Sequence, residues 1–223
     1  MILAPDKRFI FIHVPKAAGT SIHGALSQHD IFFSVAKNDV VTRTRRAGEA
    51  GLPPMFLQLG EHASARQLIT VMGRETYDGF FSFAFVRNPW DVAVSWFHYR
   101  LINPDVAGHA EAEAAGTFPV YVRKVLAKEE GARWVGLQKP FVADADGKLA
   151  VSMVGRYESL AADFGAVTQR LGVKALALDH FNQSYHAAWP SLYSRETFAA
   201  VGRLVAEDAA LFGYSSDPAT YGL

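Results

Sequence analysis

Two short apolar runs, each stopped by a turn containing proline, constrain this chain more than any other feature. Phe9-Ile10-Phe11-Ile12-His13-Val14 ends at Pro15, and Phe80–Val86, broken only by Ser82, ends at Arg87-Asn88-Pro89. Runs of β-branched and aromatic residues without polar alternation suit strands buried on both faces, as parallel strands are in layered α/β folds. Helix grammar follows each stop. Thr20–Gln28 reads as a helix opening. After the second run Asn88 stands as N-cap, Pro89 at the first helical position and Asp91 at the third, with Val92, Val94, Ser95, Trp96 and Tyr99 continuing the face. Two strand–turn–helix units of this kind predict a parallel sheet with ligands at the carboxyl ends of its strands.

The rest of the chain supplies cover for such a sheet. Ala63–Gly73 carries Leu68, Ile69 and Met72 at helical spacing, Phe118–Lys128 reads as a helix, and Ser159–Leu171 and Arg195–Phe212 read as amphipathic helices. Asn103–Gly116, rich in Ala, Glu and Gly, lacks large hydrophobes and reads as a mobile or frayed loop. Asp144-Ala145-Asp146-Gly147-Lys148 has the look of a hairpin turn. Neither an internal repeat nor a clean linker divides the 223 residues, so a single domain over 1–223 is expected.

Charge and cysteine content remove whole classes of function. Lys plus Arg and Asp plus Glu each number 22, which argues against a globally basic nucleic-acid binder and against a polybasic membrane-surface protein. The balance is uneven along the chain: residues 1–100 hold 11 basic and 8 acidic side chains, and residues 101–223 hold 11 and 14. An anionic ligand therefore suits the first half better. With no cysteine, a disulfide scaffold, a zinc–thiolate site, an iron–sulfur cluster and a cysteine nucleophile are all excluded. Met1–Arg8 shows no basic leader before an apolar segment, and no apolar run approaches the ~20 residues of a membrane span. A cytoplasmic protein without a transmembrane segment is expected.

Two constellations carry chemistry. In Pro15-Lys16-Ala17-Ala18-Gly19-Thr20-Ser21 a lysine, a glycine and two hydroxyls stand at a helix start, where backbone N–H groups and the helix dipole favour an anion. The lysine precedes the glycine, unlike the usual nucleoside-triphosphate loop, which places it after. An ordinary turn with a Ser/Thr cap is the plainer reading. In Phe85-Val86-Arg87-Asn88-Pro89-Trp90-Asp91-Val92-Ala93-Val94-Ser95, Arg87 at a strand end can fork onto a phosphate, or it can serve in a structural ion pair. Ser95 lies about two helical turns past the cap and shares a face with that region.

Together these motifs resemble the sulfotransferase superfamily, and more narrowly the carbohydrate-type family of heparan 2-O- and chondroitin sulfotransferases with its many bacterial members. Gly60-Glu61-His62-Ala63-Ser64-Ala65 resembles that family's glycine/histidine segment. Gly155-Arg156-Tyr157-Glu158-Ser159-Leu160 with Asp163-Phe164 resembles its later arginine motif, and Tyr193 through Asp208, Phe212, Gly213 and Tyr214 also fit. The resemblance implies a P-loop NTPase-like three-layer α/β fold, a central parallel sheet flanked by helices, and transfer of a sulfuryl group from 3′-phosphoadenosine 5′-phosphosulfate (PAPS) to a hydroxyl of a carbohydrate, glycolipid or other small acceptor, with adenosine 3′,5′-bisphosphate as product. By the same resemblance Lys16, Ala18, Gly19, Thr20 and Ser21 match the loop for the 5′-phosphosulfate. Arg87 and Ser95 match the pair for the 3′-phosphate, His62 the catalytic base, and Arg156 a motif that reaches toward the cofactor. The membrane anchor and cysteines of animal Golgi members are not seen here. That points to a bacterial-type enzyme and away from glycosaminoglycan acceptors.

Elementary chemistry agrees with those roles. The donor carries roughly four negative charges, and a phosphomonoester favours an arginine and a hydroxyl. A lysine facing the leaving phosphate acts most strongly as charge develops there, so no metal is needed. A histidine suits removal of the acceptor proton, and Glu61 is the alternative to His62. Trp90 and Trp96 read as packing residues, although Trp90 at the turn could flank a nucleotide. Two other readings remain: a nucleotide kinase or NTPase needing Mg²⁺, and a non-catalytic nucleotide-binding module. Residues 101–150, where the resemblance is thinnest, are the expected seat of acceptor choice.

Overall fold

Phe9–Ile12 forms a strand with all four side chains buried, as an apolar run without alternation requires. It is β2 of a five-stranded sheet in a computed structural model that describes residues 1–5, 7–27, 33–34, 59–126, 136–173, 178 and 188–223. The other strands are β1 (Ile2–Ala4), β3 (Phe33–Ser34), β4 (Phe81–Val86) and β5 (Met153–Arg156), in spatial order β3-β1-β2-β4-β5. β2, β4 and β5 run parallel, with Ile12 opposite Ala84 and Val86 opposite Arg156. The expectation of a parallel sheet holds for these three only. β1 pairs antiparallel with both β2 and β3, so the sheet is mixed. The reason lies in the link from Ala4 to Phe9, which is too short for a crossover and can only make a hairpin. Arg8 at φ 50° and its N–H bond to the Pro5 carbonyl close that turn.

The chain divides into two compact units, one of residues 1–86 and 138–181 and the other of 87–137 and 182–223. The first holds the whole sheet. On one face Ile2, Ala4, Phe9, Phe11, Phe83 and Phe85 meet α1 (Gly19–Ser27), through Ile22, Ala25 and Leu26, and α8 (Leu160–Leu171), through Phe164 and Val167. The alternate residues Leu3, Ile10, Ile12, Ala84 and Val86 are buried as well. Gly155 in β5 is required by packing: a Cβ there would lie 2.5 Å from the Phe85 ring. The same unit includes α2 (Ala65–Met72), opened by a reciprocal Ser64–Gln67 capping box, then α3 (Arg74–Asp78) and the short α7 (Lys139–Val142). The hairpin turn expected at Asp144–Lys148 is present, closed by an Ala143–Leu149 bridge.

The second unit is helical: α4 (Pro89–Ile102), α5 (His109–Ala115), α6 (Phe118–Lys124), α9 (Arg195–Leu204) and α10 (Ala206–Phe212). Two expectations change here. His109–Ala115 is a helix rather than a loop, because an Ala/Glu stretch has high helix propensity and Ala112 needs only a small buried site. Arg195–Phe212 is two helices, separated at Val205 (φ −104°, ψ 10°). Trp90 centres the core of this unit, stacked on Phe198 at 4.4 Å and 4° with its indole N–H donated to the Phe198 carbonyl. Tyr193 donates its hydroxyl to the Trp90 carbonyl at 2.8 Å.

Candidate active site

Between β2 and α1 the backbone takes a route that its side chains do not favour. Lys16 (φ 66°) and Ala18 (φ 62°) both lie in the left-handed region, which costs a residue with a Cβ roughly 1–2 kcal/mol. Strain of this kind persists where surrounding structure imposes it and concentrates at ligand sites. The loop leads straight into α1, whose first amides have no intrahelical acceptor. Gly19, Thr20 and Ser21 form that first turn, and the Ile22 amide after them donates back to the Ala18 carbonyl at 3.1 Å. Thr20 is exposed, Lys16 is half-buried and Ser21 is buried. Gly19 does not supply the left-handed geometry. Its missing Cβ makes room for the His13 ring, whose Cδ2 would stand 1.8 Å from that atom.

His62 stands beside the segment that feeds this loop. Its Nδ1 is 2.9 Å from the His13 carbonyl oxygen, which can only accept, so Nδ1 carries a proton and the neutral ring has its lone pair on Nε2. The ring is exposed and meets the His13 ring edge-on at 4.5 Å. Glu61, also exposed, has Oε1 3.3 Å from His13 Nδ1, and its backbone carbonyl accepts from the Met1 amine. Burial is the largest influence on the basic groups here. It lowers His13 to about 2, helped by His62, the amino terminus and His23, and it lowers the Met1 amine to about 5 against the pull of Glu61. His23 is lowered too, chiefly by burial.

Arg156 ends β5, in register with the last residue of β4. Strand spacing puts the ends of β2 and β5 about 10 Å apart across β4. The Arg156 amide donates to Asp163 Oδ2 at 2.7 Å, and the Ser159 hydroxyl donates to the same oxygen, so the arginine motif is a strand end tied to the start of α8. The first unit thus gathers the Lys16 loop, His62 and Arg156 at the carboxyl edge of its parallel strands.

Arg87, Asn88 and Ser95 belong to the second unit. Asn88 caps α4 through its side-chain oxygen, which accepts from the Trp90 amide, and donates its Nδ2 to the Tyr221 hydroxyl at 3.2 Å. Arg87 donates Nε to Asp91 Oδ2 at 2.7 Å, both side chains being 9% exposed. The structural ion pair left open by the sequence therefore exists, and Asp91 is the residue that sequence reasoning passed over. Its signal was the i,i+4 spacing from Arg87. Ser95, one turn beyond Asp91, is buried. Trp90 lies inside the aromatic core, which removes it as a nucleotide-flanking side chain. Among the other histidines, His109 bonds the Arg100 carbonyl and His98 packs edge-on to Phe97. His29, His180 and His186 lie outside the described residues. Among the described residues no group of three or more His, Asp or Glu could hold a metal ion, and no helix is long and apolar enough to cross a membrane.

The described geometry is that of a mixed α/β protein with a strained loop between its central strand and first helix. The chain belongs to the sulfotransferase family, whose sequence model matches residues 1–215 and so runs through both units. A search of curated proteins returned no match.

Proposed function

We propose that the chain is a single sulfotransferase domain over residues 1–223, of the P-loop-like three-layer kind, that moves a sulfuryl group from PAPS to a hydroxyl of a carbohydrate, glycolipid or other small acceptor. The observation that carries this reading is the Pro15–Ser21 loop, where two left-handed residues and the amides of Gly19, Thr20 and Ser21 open a helix beside a lysine. Such a nest of donors fits a phosphate or sulfate oxygen better than a neutral group. A family match that spans both units supports treating them as one domain. A cytoplasmic location accompanies this reading, in keeping with a chain that has no cysteine to oxidise.

PAPS, when bound, would supply the sulfuryl group to the acceptor oxygen, with its own 5′-phosphate as the leaving group. Within the protein, the Lys16 ammonium and the amides of Ala18, Gly19, Thr20 and Ser21 hold the 5′ anion, and Lys16 meets the charge that grows there, so that no metal is called on. Arg87 and Ser95 hold the 3′-phosphate, with Asp91 fixing the guanidinium through Nε. Arg156 adds a further positive charge from the end of β5. His62, with its proton on Nδ1, presents Nε2 to take the acceptor's hydroxyl proton. Glu61 is the alternative base, its carboxylate exposed beside the same ring.

The test is thermal stabilisation by adenosine 3′,5′-bisphosphate and by ATP, each with and without Mg²⁺. Metal-independent stabilisation by the bisphosphate, with little from ATP, is expected. Stabilisation by Mg-ATP alone would overturn the reading in favour of a kinase or NTPase.

A further inference from the structure

One buried side chain touches both parts of the chemistry proposed for the first unit. His13 follows β2 directly and is 5% exposed. Its ring fills the place of the absent Gly19 side chain: a Cβ on Gly19 would stand 1.8 Å from Cδ2, 1.9 Å from Nε2 and 2.7 Å from Cγ. Real side chains do not approach so closely, so the ring lies against the bare Cα at the opening of α1. The same ring meets His62 edge-on at 4.5 Å and stacks on Phe11 at 6.0 Å and 19°. The His13 carbonyl receives the His62 Nδ1 proton.

Resting on the sulfotransferase reading above, we infer that His13 is a positioning residue, a strut whose ring sets the Gly19 turn of the anion loop and whose carbonyl and ring edge together aim the His62 imidazole. The anion loop and the proton acceptor are then kept in one register by a single residue at the end of the central strand. An in-line transfer is sensitive to that register, because errors near 1 Å between reacting groups cost about a hundredfold in rate. A merely space-filling side chain would explain the contact with Phe11. It would not explain why the ring occupies the one place that forbids a side chain at residue 19.

Groups packed around the ring favour a neutral strut. Glu61 Oε1, 3.3 Å from Nδ1, favours a proton on the ring, but burial, His62, the Met1 amine and His23 all disfavour it and outweigh that pull. A neutral ring can stay against His62 as that base gains a proton, adding no charge repulsion.

The test is a four-cornered cycle read with adenosine 3′,5′-bisphosphate by calorimetry, using wild type, His13→Ala, Gly19→Ala and the double variant. Gly19→Ala is expected to weaken binding about tenfold or more on the wild-type background and less than about threefold on His13→Ala, whose vacated space accepts the new methyl. An additive cycle overturns the strut. A second arm follows the ¹⁵N resonances of the His62 imidazole. Because the carbonyl survives every substitution, a change there reports the ring. His13→Ala is expected to move His62 from the pure Nδ1–H tautomer to a mixture, and His13→Phe, which restores a flat ring, is expected to return it. An unchanged tautomer in His13→Ala overturns the aiming role. Should His13→Ala fail to fold, His13→Asn takes its corner in both arms. A folded wild type that binds no bisphosphate refutes the sulfotransferase reading, and the imidazole arm then still decides the strut.

Discussion

Replacing Asp91 separates what the protein needs for folding from what it needs for its ligand. Asp91 Oδ2 and Arg87 Nε are 2.7 Å apart, and both side chains are 9% exposed. Removing Asp91 takes a buried countercharge away from Arg87, and breaking a buried pair in this way costs about 3–5 kcal/mol. Asp91→Ala should therefore lower the urea-unfolding free energy of the ligand-free protein by about 3 kcal/mol or more, with an unchanged m-value. Asp91→Asn, which keeps an oxygen for the Nε proton, should lose less. A phosphate on Arg87 would supply the missing negative charge, so adenosine 3′,5′-bisphosphate should recover more stability in Asp91→Ala than in wild type. For wild type the gain at a hundredfold excess over Kd is about 2.7 kcal/mol. The assay is urea denaturation followed by circular dichroism, with and without the bisphosphate at one concentration for both proteins, about a hundredfold above the wild-type Kd. A loss below about 1 kcal/mol in Asp91→Ala would refute the buried-pair reasoning. A ligand gain no larger than the wild-type value would refute the link between this pair and the 3′-phosphate.

Arg87→Ala should weaken bisphosphate binding about tenfold to a hundredfold by calorimetry, as expected for a lost charged hydrogen bond. His62→Ala should bind the bisphosphate as wild type does, yet convert PAPS about 10²–10⁴-fold more slowly in the presence of a sugar-alcohol panel. Turnover that survives in His62→Ala and falls in Glu61→Gln would move the base to Glu61. His13, held near 2 in the fold against 6.5 when exposed, binds a proton only in the unfolded chain between those values. Its contribution is therefore intact above pH 6.5 and is lost as the pH falls. Between pH 7 and pH 5 the loss is about 2 kcal/mol. His23 and the Met1 amine act in the same direction, so the measure is the flatter pH dependence of His13→Gln relative to wild type in urea titrations.

The parts of the fold legible in the sequence were those written in local grammar. Asn88 and Pro89 opened α4 as expected, and Phe9–Ile12 and Phe81–Val86 became parallel neighbours. The N-terminal strand was not legible, since Ile2-Leu3-Ala4 is too short to show a period and gains its place only by pairing with β2. His109–Ala115 was missed because a helix held by one small buried alanine has no apolar stripe to announce it. At the site, residue types and spacing revealed the loop, yet the left-handed backbone fell on Lys16 and Ala18 while Gly19 served a close contact. Which residue bears the strain depends on what packs beneath the loop, and His13, six positions before Gly19, follows the strand and stands outside the motif itself.

On the proposed reading, the left-handed pair in that loop sets fold stability and ligand binding against each other at the same atoms. A glycine at position 18 would adopt φ 62° without steric penalty, so Ala18→Gly relieves strain in the folded state while loosening the unfolded chain. Selection for thermal stability alone could accept such a change, and selection for a rigid cradle would resist it. Stabilising substitutions that leave Pro15–Ser21 untouched are then the safe ones, and those that soften it are where robustness and catalysis part company.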